Sequence, residues 1–212
     1  MARWFPVRAS VEPGPGGSIT YAWPPDFEGT VRIAVWEPSR HLRTDWCFRP
    51  PGIPDDEWRE VAVDWTIEGR GGSTTLRVVH SGFGAGGPWD DELDGSRRGW
   101  EFELRSLAHY LERHRGAARE TLWLRRPTTL NPDEAWARLA PALAPLLDGP
   151  RLVDDAPHEI AGRVPALADG LFRAGVERVG GNVAHVFLSA WGLPRVELER
   201  FAAPFERALA RV

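Results

Sequence analysis

Residues 76–89 read LRVVHSGFGAGGPW, and the reading of this stretch decides the fold. Gly82, Gly84 and Gly87 fit the G-x-G-x-x-G spacing of loops that cradle a dinucleotide's phosphates. A strand-like run, residues 74–81, leads into it. A nucleotide loop also needs a helix directly behind it, whose N-terminus holds the pyrophosphate, and buried parallel strands in front. Here Gly87 is followed by Pro88, Trp89, Asp90, Asp91 and Glu92, and three carboxylates at a phosphate site would repel the ligand. No second strand ending in an acidic residue follows at the expected distance. The glycines are therefore read as a flexible loop between a sheet and a helix laid across it.

Upstream, from Ser18 to Ser81, the hydrophobic period is two. Val31, Ile33 and Val35 alternate with Arg32 and Ala34, and a turn at Glu37-Pro38-Ser39-Arg40 follows. Leu42, Thr44, Trp46 and Phe48 then alternate with His41, Arg43, Asp45 and Cys47. After a proline-rich loop come Val61, Val63, Trp65 and Ile67, a turn at Gly69-Arg70-Gly71-Gly72, and Leu76, Val78 and His80. This pattern is that of half-buried antiparallel strands joined by hairpins.

Downstream the period changes. Trp100, Leu104, Leu107 and Leu111 fall at i, i+4, i+7 and i+11, one stripe of a helix. Residues 121–124 read as a short strand. Asn131-Pro132-Asp133-Glu134 is a helix start, with a capping asparagine, a proline at the first position and a glutamate at the third. That helix carries Trp136, Leu139, Leu143 and Leu147 and stops at Asp148-Gly149-Pro150. Strand-like runs follow at 158–164, 171–179 and 182–191. A last helix from near Pro194 shows Leu198, Phe201, Phe205 and Leu209 on one face, with Pro204 inside it. The second half thus ends as the first does. The chain reads as a degenerate tandem pair, 1–116 and 117–212.

Composition narrows the function. The 212 residues carry a net charge of −4, so no basic field draws in nucleic acid or an anionic membrane. All 26 basic residues are arginine and neither Lys nor Gln occurs, the bias of a GC-rich, bacterial-type genome. Cys47 is the only cysteine, which excludes an internal disulfide and points to a reducing, cytoplasmic setting. No apolar run is long enough to span a membrane. The 11 tryptophans suit a wide apolar space that must be lined or filled.

Several of these residues together resemble a known family. Residues 72–81 followed by Gly82-Phe83, an acidic loop and Gly99-Trp100 opening a long helix resemble the ending of the SRPBCC, or START-like, superfamily. The similarity is closest to the branch named after the activator of the heat-shock chaperone's ATPase. Trp4-Phe5, Gly16-Gly17, Gly29-Thr30-Val31 and Glu37-Pro38 leading to His41-Leu42 and Trp46 match in the same order, across residues 4–114. The resemblance implies an α+β helix-grip fold, in which a curved antiparallel sheet wraps a long C-terminal helix over a cavity that often holds an apolar ligand. The family's opening strand and two short helices have no counterpart before Trp4. The segment 120–147 either begins the second copy or completes the first sheet, and an uncovered edge would invite a protein partner or a homodimer.

The candidate ligand-cavity residues are Trp46, Trp65, His80, Phe83, Trp100, Leu104 and Leu107. His80 shares its strand face with Leu76 and Val78 and is the best polar candidate in an apolar space. A Ser-His-Asp set of Ser81, His80 and Asp64 or Asp45 is disfavoured, because adjacent strand residues point to opposite faces. His109 and His114, five apart, fall about 140° from a shared helix face, so they read as solvated residues and no metal is expected. The acidic run Asp90-Asp91-Glu92-Asp94 reads as a solvated loop, Cys47 as a small filler, and no cofactor is expected. The preferred function is non-catalytic binding of a small apolar molecule. A protein-interaction module of the chaperone-activator type, and an enzyme of the polyketide-cyclase kind, are the alternatives.

Overall fold

The computed structural model describes residues 2–23, 27–147, 149, 151–153, 157–178 and 181–212. Asp148 and Pro150 of the expected helix stop, and Val179 of an expected strand, lie outside the described residues. The chain divides into two compact units, Pro6–Arg97 and Arg98–Val212, the latter joined by Arg3–Phe5.

The first unit is a six-stranded antiparallel meander in sequence order. Its strands are β1 (Arg8–Glu12), β2 (Ser18–Trp23), β3 (Phe27–Glu37), β4 (His41–Phe48), β5 (Arg59–Arg70) and β6 (Ser73–Ser81). Between β5 and β6, Gly71 and Gly72 both have positive φ, as a two-residue hairpin turn of matching twist demands. One sheet face is apolar. Ile19, Val31 and Ile33 form its buried centre, and Tyr21, Trp36, Leu42 and Trp46 pack against them. Val61, Val63, Trp65 and Thr44 are buried too.

A register shift between Ile33 and Val35 alters the expected alternation in β3. Ile33 stands opposite Thr44 and Trp36 opposite Leu42, so these two residues, three apart, share the apolar face. Val35, expected on that face, instead stands opposite Arg43. An extra residue of this kind also bends the strand.

Helix α1 (Pro88–Arg113) begins directly after Gly87, well before the expected Trp100 start, and its residues from Arg98 onward belong to the second unit. Asp90 and Asp91 lie in its first turn, where carboxylates suit the helix dipole, so the acidic run is helical and not a loop.

The second unit is also α+β. Its sheet runs β7-β11-β10-β9-β8, all antiparallel. The strands are β7 (Arg119–Thr128), β8 (Arg151–Val153), β9 (Glu159–Val164), β10 (Gly170–Arg178) and β11 (Asn182–Trp191). Because β7 pairs with β11 along its length, the segment after residue 118 opens this sheet and does not complete the first. Helices α2 (Pro132–Leu143) and α3 (Arg195–Leu209) cover one face, burying Leu139, Leu143, Leu198 and Phe205 against Phe172, Val186 and Leu188. The asparagine cap of α2 is present as expected. The Asn131 side chain accepts from the Glu134 amide at 2.9 Å, and Glu134 accepts from the Asn131 amide at 3.4 Å.

The residues 98–113 of α1 lie on the other face of this second sheet. Phe102 meets Phe187 edge-on at 6.4 Å, and Tyr110 stacks on Trp191 at 6.3 Å. The deeply buried residues are Phe102, Ser106, His109 and Tyr110, whereas Leu111 is 44% exposed. At 100° per residue this line is on the opposite side of the helix from the Trp100-Leu104-Leu107-Leu111 stripe read from the sequence.

Together these features are those of an α+β helix-grip protein: a curved antiparallel sheet leads into a long helix, and a second α+β unit with a five-stranded sheet follows.

Candidate functional site

The glycine loop is explained by packing. A Cβ on Gly84 would lie 2.6 Å from the Trp89 ring, and one on Gly82 would lie 2.2 Å from the Glu60 carbonyl oxygen. The Gly86 amide donates to the Asp90 carboxylate at 3.1 Å, which places an anion where a phosphate would have to bind. The loop thus seats an indole. Trp89, 2% exposed, meets Phe48 edge-on at 6.0 Å, with the Arg59 guanidinium over its ring at 5.9 Å.

Immediately before this loop lies an aromatic cluster. The His80 ring is 5.5 Å from Trp46 and 4.5 Å from Phe83. Register places Val63 opposite His80, Trp65 opposite Val78, Leu42 opposite Trp65 and Val61 opposite Trp46, so Trp46, Trp65 and His80 share the apolar face. Phe83 closes over His80 from the loop. Burial pulls the His80 imidazole down to about 4, so it is neutral at physiological pH. On the same face burial pushes the Tyr21 hydroxyl up to about 12. Trp100, Leu104 and Leu107, the other expected ligand-cavity residues, are each partly buried on the portion of α1 that belongs to the second unit. Trp100 packs on Phe5 at 5.4 Å.

The carboxylates of Asp64 and Asp45 are on the other face from His80. Asp64 lies 2.8 Å from His41 Nε2 and accepts from Arg43, and Asp45 accepts from Arg32 at 2.7 Å. They are ion-paired across neighbouring strands, and no Ser-His-Asp geometry forms with His80. Cys47, expected as a filler, is exposed.

The second unit holds a polar layer that periodicity concealed. Where α1 covers the second sheet, Arg173 donates to Glu159 from Nε at 3.0 Å and from Nη2 at 2.9 Å, and lies over the Phe102 ring at 5.8 Å. Burial raises the Glu103 carboxyl to about 7 against the pull of Arg119 and Arg173. Burial also lowers His185 to about 3, with Arg173 acting in the same direction. Among the described residues Glu103 Oε2, Ser106 Oγ, His185 Nδ1 and Ser189 Oγ are buried without a hydrogen-bond partner. Only the odd-numbered residues of β11, read as a face, signal this: His185, Phe187, Ser189 and Trp191 alternate with the apolar Ala184, Val186, Leu188 and Ala190.

The fold and the aromatic face define a protein of the helix-grip class. Residues 1–112 match the family described as "Activator of Hsp90 ATPase homolog 1-like protein", and the chain belongs to that family. Two crystal structures are similar over nearly the whole chain. One is DynU16, a protein of the dynemicin biosynthetic locus, at 20% identity and a TM-score of 0.43, covering 99% of this chain and 87% of that one. The other is the di-domain ARO/CYC StfQ of the steffimycin biosynthetic pathway, at 14% identity and a TM-score of 0.33, covering 95% and 84%. No curated protein matches the chain. Among the described residues no helix is long and apolar enough to cross a membrane.

Proposed function

We propose that the first unit binds a small, apolar, ring-containing molecule without transforming it, on the sheet face at Trp46, Trp65, His80 and Phe83. The observation that carries this reading is the His80 ring held between Trp46 and Phe83 on an otherwise apolar sheet face. The imidazole is neutral there, and the rings around it supply the apolar area from which a ligand's affinity would come. Each Å² of apolar area contributes about 25 cal/mol before the costs of association. Chemistry on the ligand would need further titratable groups converging on this spot, and the nearby carboxylates of Asp45 and Asp64 are committed to arginines on the opposite face.

A second reading is supported by topology. β6 ends the six-stranded sheet, and an edge strand is a template for pairing with another chain. That edge would serve a protein-interaction role of the kind the family's name suggests. A cytoplasmic setting accords with both, since the single thiol, Cys47, is free. We read the second unit as a degenerate second copy, because it runs strand, helix, strands, helix, and its first strand pairs with its last.

Native mass spectrometry of freshly purified protein tests the first reading. It predicts a co-purified small molecule, released on denaturation and lost in Phe83→Ala. A bare chain mass in every preparation, with no melting-temperature shift across a panel of neutral lipophiles, refutes it.

A further inference from the structure

We propose that His109, His114 and Asp169 form a binding site for a divalent first-row transition metal, with Zn2+ the simplest occupant. The three lie together in the second unit, and one ligand atom from each lies within 4.8 Å of the others. A separation of about 140° holds only where both residues share a helix, and α1 ends at Arg113. His114 is beyond the helix end, its amide still bonded to Tyr110 O at 2.9 Å, and its ring comes back over His109.

The resulting geometry is that of converging donors. The two Nε2 atoms are 3.2 Å apart. Two imidazole nitrogens bound tetrahedrally to zinc, each at about 2.0–2.1 Å, stand about 3.3 Å from one another. The Asp169 carbonyl oxygen lies 2.6 Å from His109 Nε2 and 3.2 Å from His114 Nε2, and Asp169 Oδ2 is 4.0 Å from His109 Nε2. His109 is 5% exposed.

The surroundings fix these groups. Trp191 stacks on His114 at 4.8 Å with planes 9° apart, lies 5.6 Å from His109, and donates its indole N–H to Arg3 O at 2.7 Å. Ala168 and Asp169 both have left-handed backbone, φ +49° and +60°, a costly pairing for non-glycine residues at the point that presents the carboxylate. Arg163 Nε holds Asp169 Oδ1 at 2.8 Å, and Arg113 Nη1 holds Oδ2 at 3.3 Å. Such outer partners orient a ligating carboxylate. They also reduce its pull on a hard cation, so the two imidazoles decide the choice, favouring zinc, cobalt, nickel or copper over magnesium or calcium. Three protein ligands leave one position of a tetrahedral ion for a water or another ligand.

The competing account is a closed hydrogen-bonded knot in which both rings donate to the Asp169 carbonyl, and it predicts no metal affinity. Chelator-stripped full-length protein is titrated with ZnCl2 by calorimetry and with CoCl2 by visible absorption. The site predicts one equivalent bound, and at least ~10-fold weaker binding in both His114→Ala and Asp169→Asn, a loss on the scale seen even for outer-shell changes. His41, His80, His158 and His185 are intact in both variants, so adventitious binding there would persist. No binding, or unchanged affinity in the two variants, overturns the proposal. Should a variant fail to fold, the wild-type Co2+ spectrum decides: intense bands of a four- or five-coordinate site support it, and the weak spectrum of the hydrated ion refutes it. The site is independent of the lipophile face, so its failure leaves that reading untouched.

Discussion

The indole of Trp89 occupies the space that a Cβ on Gly84 would need, with ring atoms 2.6 Å from that position. This contact settles the glycine stretch as a seat for a side chain. Gly84→Ala should therefore lose about 1–3 kcal/mol of stability by overpacking. Urea unfolding should show it as a lower midpoint at unchanged slope, and added dinucleotides should leave the midpoint where it is in both proteins.

Glu103 gives a pH dependence with a defined sign. Its carboxyl titrates near 4.5 in the unfolded chain and at about 7 when folded, so the folded state holds the extra proton between those values. Its contribution is thus fully present below about pH 4.5 and is lost as pH rises to about 7. Glu103→Gln should match the wild type at pH 4.5 and exceed it in stability at pH 8, as read from denaturation midpoints. A variant that is less stable at pH 8 would place the ionised carboxylate in the stabilising network instead.

His80 acts in the opposite direction. Its proton affinity is depressed from 6.5 to about 4, so the unfolded chain takes up the proton first as pH falls through that window. Stability from this residue is present above pH 6.5 and declines toward pH 4. His80→Phe should flatten that part of the melting-temperature profile. An unchanged slope would show that His80 does not contribute to it.

The Asn131 cap is a simple local test. Asn131→Ala removes the acceptor for the Glu134 amide and should cost about 1 kcal/mol. Asn131→Asp should retain most of the stability.

The strands were legible where one face was buried. Leu42 to Phe48 and Val61 to Ile67 alternate because a half-buried antiparallel sheet requires it. β1 was not legible: Arg8-Ala9-Ser10-Val11-Glu12 is a largely exposed edge strand with no apolar row to announce it. The start of α1 was obscured by Gly95, Gly99 and the acidic run, residues that suggest a loop although Asp90 and Asp91 complement the helix N-terminus. Periodicity also misplaced the deeply buried face of α1. It selects leucines, while the second sheet takes Phe102, Ser106, His109 and Tyr110. Of the candidate site, the ring set of Trp46, Trp65 and His80 was readable from strand parity alone. The juxtaposition of His109, His114 and Asp169 was not, since it depends on where a helix stops and on a left-handed turn 55 residues later in the chain.

The central claim is that the Trp46–His80–Phe83 face takes up an apolar ring. It is tested most directly by titrating the neutral fluorescent lipophile N-phenyl-1-naphthylamine into wild type, Phe83→Ala and His80→Ala, with folding of each verified by circular dichroism. The account predicts saturable binding to the wild type and about tenfold or weaker binding to both variants, the loss expected when one ring's contact area is removed. Equal affinity in all three, or no saturable binding to the wild type, would contradict it.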